Sequence, residues 1–304
     1  MFVLDMHCDS LLAVNEESGL IKPYNFSNKY PHIQFVAEFC PKSNEDPFTR
    51  RKRLMRLLDL YLYECERLGI SQIKSVRDLM RFEEVGGAHS LLSIEGGGGL
   101  FQDSEELPTL INAGLFVMGL AWDDNELSKS AWTKDDTGLT EKGRELTKRC
   151  EEMGIIIDVS HLSDKAFYDT LEIYQSPVLA THSNFRGVCN SKRNLTDDMA
   201  LKIKERGGVI GINIYPPFLN ESKTASLNDV LRHVDYGLSL LGENAIGFGF
   251  DIDGTSGEYP VGLNLNESIH DQIIDLLLSH YSEDVVRKIA GENALNFLKN
   301  NIMF

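Results

Sequence analysis

The chain has 304 residues, 30 of them basic and 46 acidic, for a formal net charge of -16 at neutral pH. That balance repels nucleic acid and anionic membranes, so neither is an expected partner. No apolar run approaches the roughly 18 residues of a membrane span, and the N-terminus lacks a charged segment leading into an apolar one, so a soluble, unexported chain is expected. Cys8, Cys40, Cys65, Cys150 and Cys189 are odd in number and never spaced as Cys-x-x-Cys. They argue against both a disulfide framework and a thiolate zinc knuckle, and fit a reducing cytoplasm.

Phe2-Val3-Leu4 reads as a buried strand running into Asp5-Met6-His7-Cys8-Asp9. Because side chains alternate along a strand, His7 and Asp9 share one side of its C-terminal end, where an imidazole and a carboxylate can hold a borderline metal such as zinc. Residues 10–32 show no sustained period and read as a loop, and Ile33 to Phe39 is a second apolar run. The periodicity predicts an amphipathic helix over 47–69, closed by Gly69, and another over 75–84. Ala88 to Ile94 makes a third strand, stopped by Glu95 and four glycines. A helix over 104–113 precedes the fourth strand, Leu115 to Ala121, which opens into the loop from Trp122 to Asn125. Thr140 to Met153 is a Thr-capped helix closed by Gly154, and the fifth strand, Ile155 to His161, follows at once. Ser163 caps the next helix, and Pro177 to His182 is the sixth strand. A helix over 196–206, a seventh strand from Gly207 to Ile214, a helix over 226–241 and an eighth strand from Ala245 to Asp251 complete the alternation. Residues 267–280 and 283–300 read as helical.

Eight short apolar runs alternating with helices predict an α/β fold with a parallel sheet buried on both faces, and eight strands close a (β/α)8 TIM-type barrel. A doubly wound open sheet is the alternative. No repeat or linker divides the chain, so residues 1–304 are expected to form a single catalytic domain.

Barrel sites sit at the C-terminal ends of the strands. Standing there are His7, Asp9, Glu95, His161, His182 and Asp251, all metal-ligand types, and six costly polar groups at one mouth serve no packing purpose. Singly, each admits a plainer role. His161 could cap the helix after it, His182 could sit in a polar turn, and Glu95 could simply begin a glycine turn. Yet a carboxylate followed by four glycines suits a bridging ligand that needs close backbone approach, and no Gly-Lys-Ser or Gly-Lys-Thr follows to make a phosphate loop. Asp251-Ile252-Asp253-Gly254 resembles the start of a calcium loop without its later ligands, so Asp251 is read as catalytic and Asp253 as its support. His32, His89, His233, His270 and His280 lie away from the expected mouth and read as structural or solvated. With His7 and Asp9 on one ion and His161 and His182 on another, Glu95 is the carboxylate left to bridge them. Ions about 3.5–4 Å apart share a water and lower its pKa, which is hydrolytic chemistry, and Asp251 would move the proton.

Asp5-Met6-His7-Cys8-Asp9, Ile94-Glu95-Gly96-Gly97, Asp158-Val159-Ser160-His161, Thr181-His182-Ser183, Lys192-Arg193-Asn194 and Gly249-Phe250-Asp251-Ile252-Asp253-Gly254 together resemble, nearly end to end, the membrane (renal) dipeptidase family of zinc peptidases, within the amidohydrolase-type barrels. The resemblance implies two zinc ions, one held by His7, Asp9 and Glu95 and the other by Glu95, His161 and His182. It implies the acid/base role for Asp251, a place lining the pocket for Tyr215, and capture of the substrate's C-terminal carboxylate by Arg193, whose fork suits that task better than a lysine. Apart from the family, Arg193 in Ser191-Lys192-Arg193 could equally be a surface cation. In the family's mammalian enzymes a fourth-strand histidine reaches the scissile carbonyl; here the corresponding residue is Trp122, as in bacterial-type members. Its single N–H carries no charge, so oxyanion stabilisation falls more heavily on zinc, and a lost donor of this kind is worth about 2.7–4 kcal/mol. The export signal and lipid-anchor tail of the mammalian enzymes are expected to have no counterpart here, and a homodimer is expected by analogy. The expected function is a cytoplasmic zinc dipeptidase for unblocked dipeptides, with a C-terminal D-residue left open. Its rivals are another amidohydrolase-type reaction on a lactone, amide or phosphoester, and a metal- or ligand-binding barrel without turnover.

Overall fold

A computed structural model describes residues 1–11, 26–39 and 45–302. Cys40 and most of the loop expected over 10–32 lie outside the described residues. The strands are β1 (Val3–Asp5), β2 (His32–Phe39), β3 (Ser71–Gln72), β4 (Ala88–Glu95), β5 (Leu115–Gly119), β6 (Ile156–Asp158), β7 (Leu179–Ala180), β8 (Val209–Ile212) and β9 (Ile246–Phe248). The helices are α1 (Pro47–Leu68), α2 (Val76–Val85), α3 (Glu106–Asn112), α4 (Glu141–Met153), α5 (Asp164–Ile173), α6 (Asp197–Glu205), α7 (Pro216–Leu219), α8 (Leu227–Leu241), α9 (Ile269–Leu278), α10 (Glu283–Arg287) and α11 (Asn293–Asn301). Asp46, Ser75, Thr140, Ser163, Thr196, Ser268 and Ser282 start seven of these helices by accepting a backbone N–H of the first turn.

All strand pairings are parallel, in the order β2-β1-β9-β8-β7-β6-β5-β4, and β2 pairs with β4 to close the ring at eight strands. The open-sheet alternative is thereby excluded. The two-residue β3, absent from the sequence reading, pairs with His89 and Ser90 on the same edge of β4 that β5 occupies further along. Leu4, Met6, Ile33, Phe35, Leu91, Val117, Ile156, Leu179 and Val209 form one buried cluster with Leu79 and Phe82 of α2 and with Leu295, Phe297 and Leu298 of α11. Strand alternation carries the same face from Leu91 to Glu95, from Ile156 to Asp158, from Leu179 to Thr181 and from Val209 to Asn213. The apolar filling thus gives way to polar groups at the C-terminal end.

Two expectations need correction. The fifth and sixth strands stop at Asp158 and Ala180 rather than at His161 and His182, because the Asp158 carboxylate intercepts the backbone: its Oδ1 accepts the N–H of Ser160 and of Thr181, each at 2.9 Å. Residues 283–301 are helical as expected, with a π-helical turn over Lys288–Glu292 between α10 and α11, where Phe2 packs against Gly291. The glycines after Glu95 serve a different neighbour from the one expected. A Cβ on Gly98 would lie 2.5 Å from Arg50 Nη1, and Arg50 pairs at 2.5 Å with Glu126, which also accepts the Gly99 N–H at 2.7 Å. Among the described residues no helix is long and apolar enough to cross a membrane.

Candidate active site

Loops at the C-terminal ends of the barrel strands enclose a cavity of about 500 Å³ lined by Asp9, Phe39, Glu95, Trp122, Trp132, His161, Tyr215, Phe218, Asp251, Asp253, Gly254 and Ser256. Five described non-glycine residues have positive φ, and four of them, His161, Asp251, Asp253 and Ser256, line this cavity. Such backbone is costly and persists where the surroundings hold it, which marks the mouth as a working site.

The structure brings His7, Asp9, Glu95, His161, His182 and Asp251 together. Glu95 Oε1 lies 2.7 Å from Nε2 of His161, 3.2 Å from Nε2 of His182 and 3.8 Å from Nε2 of His7. The Nε2 atoms of His161 and His182 are 2.9 Å apart, and the rings of His7 and His182 stack at 3.7 Å. His7 Nε2 also faces Asp9 Oδ2 at 3.6 Å and Asp251 Oδ1 at 3.7 Å. Three overlapping groups emerge with ligand atoms within 4.8 Å of one another: His7, Asp9 and Glu95; Glu95, His161 and His182; and His7, His182 and Asp251.

These residues fit a metal. His7 Nε2, Asp9 Oδ1 and Glu95 Oε2 are buried and find no hydrogen-bond partner among the described residues, an arrangement that costs free energy unless a cation satisfies it. His182 is set up for ligation through Nε2. The Thr181 hydroxyl donates to Asp158 Oδ2 at 2.5 Å, so its oxygen takes the Nδ1–H of His182 at 2.8 Å and leaves the Nε2 lone pair directed inward.

Burial, reinforced by the Arg193 guanidinium and by His7, holds His161 and His182 well below the ordinary histidine range, so both are neutral. Burial and then Asp9 push Glu95 well above the carboxylate range. Asp251 is pushed up to about 6 by burial and Asp9, against the pull of His7 and Asn213. For His7 burial opposes the charge, yet Glu95, Asp9 and Asp251 outweigh it and raise the pKa to about 10. A dication among these groups would reverse that balance, favouring ionised carboxylates and a neutral His7.

Arg193 is buried rather than a surface cation. Its Nε donates to His161 Nδ1 at 3.2 Å, its Nη1 to Ser183 Oγ at 2.9 Å and its Nη2 to the His182 carbonyl at 2.9 Å, and Phe218 covers it at 5.7 Å. Trp122 stands edge-on to Phe39 at 5.0 Å, with its ring 6.2 Å from that of His161. Tyr215 lines the cavity and meets Phe218 at 4.9 Å. Asn213 escaped the sequence reading. Its Nδ2 donates to Asp251 Oδ2 at 2.9 Å, while its Oδ1 accepts the Tyr215 N–H at 2.6 Å. One polar residue inside Val209-Ile210-Gly211-Ile212-Asn213-Ile214, at a strand end, was the available signal.

An eight-stranded parallel barrel with imidazoles and carboxylates converging at its C-terminal mouth defines a TIM-type fold of the metal-dependent hydrolases. The chain belongs to the membrane dipeptidase family, peptidase family M19, whose sequence model matches residues 2–302. It is accordingly a peptide-bond hydrolase. A Klebsiella pneumoniae protein of the pqqA 5′ region is 33% identical over 237 residues, covering 74% of this chain and 87% of the relative. Among solved structures, the metallopeptidase dipeptidase AC of family M19 superposes with a TM-score of 0.89 at 24% identity, covering 99% of each chain. A Rhodobacter sphaeroides metallopeptidase, liganded with a phosphinate mimic of L-Ala-D-Ala, gives 0.88 at 24% identity, again covering 99% of each chain.

Proposed function

We propose that this protein is a zinc-dependent dipeptidase acting on unblocked dipeptides, including those with a C-terminal D-residue. The observation that carries the reading is the convergence of His7, Asp9, Glu95, His161 and His182 around buried ligand atoms that find no hydrogen-bond partner among the described residues, with Asp251 beside them. His7, Asp9 and Glu95 would hold one zinc ion and Glu95, His161 and His182 a second, Glu95 serving both. Zinc bound there would polarise the scissile carbonyl and lower the pKa of a water.

The chain's own residues supply the rest. Asn213 holds Oδ2 of Asp251 and leaves Oδ1 facing the cluster, so that Oδ1 takes a proton from the attacking water and delivers it to the leaving amine. With Nε2 of His161 acting as ligand, the ring hydrogen of His161 sits on Nδ1. Arg193 Nε would then lose its acceptor there and could turn, with the N–H groups its other bonds do not use, to the substrate's C-terminal carboxylate. Trp122, Trp132, Tyr215 and Phe218 wall the cavity around the substrate side chains. The free thiols of Cys8, Cys65, Cys150 and Cys189 support a reducing, cytoplasmic setting, with residues 1–304 working as one catalytic domain.

The test is reconstitution of the metal-stripped protein with zinc, followed by a panel holding L-Ala-L-Ala, L-Ala-D-Ala and their N-acetylated and C-amidated forms. Zinc-dependent release of free amino acids from the unblocked peptides alone is expected. Two tightly bound zinc ions with no turnover of any peptide would sink the proposal.

A further inference from the structure

Asp5, at the end of β1, has no solvent exposure. Its Oδ1 accepts the backbone N–H of His7 at 3.2 Å and that of Phe250 at 3.0 Å. The first belongs to a candidate ligand and the second to the residue directly before Asp251, so one carboxylate oxygen ties together two arms of the site that lie far apart in sequence. Oδ2 is 2.8 Å from Nε2 of His270 on α9, a ring that is equally inaccessible. A carboxylate only accepts, so Nε2 of His270 carries the hydrogen.

The ring itself is held. It stacks on Phe250 at 5.0 Å and 27° and meets His32 edge-on at 4.5 Å, and His32 is fixed in turn by Gln34 Oε1 at 3.1 Å and by the Ser27 N–H at 2.8 Å. The ladder between β1 and β9 is short. It registers Asp5 against Phe248, and Met6 donates to the Phe248 carbonyl at 3.0 Å. Immediately beyond it, His7 and Phe250 turn their amides to the Asp5 side chain. A buried carboxylate is expensive unless its lone pairs are met, and an apolar residue would fill the space at less cost.

We infer that Asp5 and His270 are positioning residues for the active site: Asp5 clamps the backbone at His7 and Phe250, and His270 aims the clamp. The inference rests on reading His7 as a metal ligand and Asp251 as the proton carrier. Neither Asp5 nor His270 touches substrate. What they set is the approach of the His7–Asp9 arm to Asp251, now 3.7 Å between His7 Nε2 and Asp251 Oδ1.

His270→Phe keeps a ring against Phe250 and removes the donor, while His270→Gln returns an N–H near the position of Nε2. Four quantities are measured: zinc affinity by chelator competition, kcat and KM separately, melting of the metal-stripped protein, and the amide ¹H–¹⁵N shifts of His7 and Phe250. The Phe variant is expected to lose about 10–100-fold in zinc affinity and in kcat, with KM nearly unchanged and both amides displaced. The Gln variant should recover most of each. Equal losses of melting temperature in both variants, with zinc affinity, kcat and the two amides as in wild type, would overturn the inference. If His270→Phe does not fold, Asp5→Asn replaces it, keeping one oxygen for the amides while setting an NH₂ against His270. A wild type that binds zinc but cleaves no dipeptide defeats the dipeptidase reading and leaves the zinc affinities to decide this one. With no zinc bound, displaced amides support the clamp and unmoved amides refute it.

Discussion

A Gly254→Ala substitution would place a methyl carbon 2.1 Å from Asp251 Oδ1 and 2.3 Å from Asp9 Oδ2. Ordinary contact needs more than 3 Å, so each carboxylate must withdraw by roughly an ångström, and a misplacement of that size costs on the order of 10²-fold in rate. Gly254 is exposed, in a turn closed by its own N–H to the Asp251 carbonyl at 3.1 Å, so the fold itself should survive. The expected result is a kcat/KM lowered about 100-fold, equivalent to ~2.7 kcal/mol of transition-state stabilisation, with weaker zinc binding because Asp9 has moved. The assay is steady-state hydrolysis of an unblocked dipeptide with zinc content measured on the same sample, and circular dichroism to verify the fold. A folded Gly254→Ala protein with wild-type kcat/KM and zinc content would refute both the closeness of the two carboxylates and their place in the chemistry.

Asp251→Asn should retain zinc and lose about 10²- to 10⁴-fold in kcat, read by single-turnover hydrolysis. Arg193→Met should lower kcat/KM for free-carboxylate dipeptides by about 10–100-fold, as expected for a charged hydrogen bond, and change little for a carboxyl-blocked ester; equal losses on both would point instead to its bonds with His161 and Ser183. Glu126→Ala removes the carboxylate that meets both Arg50 and the Gly99 amide, and urea denaturation should register a loss of about 3 kcal/mol. In the metal-stripped protein, Asp251 has its pKa raised from 3.8 to about 6. A carboxyl raised on folding contributes stability that is present below about pH 4 and lost as pH climbs through about 6. Asp251→Asn should therefore flatten the decline in unfolding free energy between pH 4 and pH 8 by about 3 kcal/mol; parallel curves for the two proteins would contradict this.

Much of this architecture is legible in the amino-acid order, for a physical reason. Strands buried on both faces must be apolar throughout, so runs such as Leu115 to Ala121 and Ile155 to Ile157 announce themselves, and polar residues that end such runs stand out by contrast. His7, Asp9, Glu95, His161, His182 and Asp251 were all visible in that way. Asp5 and Asn213 were passed over because they act on backbone and on other side chains, and a residue whose partner is remote in sequence leaves no local pattern. His270 sat correctly away from the mouth, yet its link to Asp5 joins α9 to β1 across most of the chain. The ends of β6 and β7 were overdrawn because hydropathy cannot register a carboxylate that captures amides otherwise available to the sheet. The two-residue β3 and the four-residue α7 are too short to carry any period.

The ring closed by β2 against β4 draws its polar mouth from residue 7 through residue 251. All five candidate ligands are made by residue 182, but the ring that gathers them closes only when β9 pairs with β1, and non-local pairing of this kind is slow to form. A metal that bound only the closed ring would act as a thermodynamic latch, pulling late-assembling chains toward closure and leaving truncated ones without that reward.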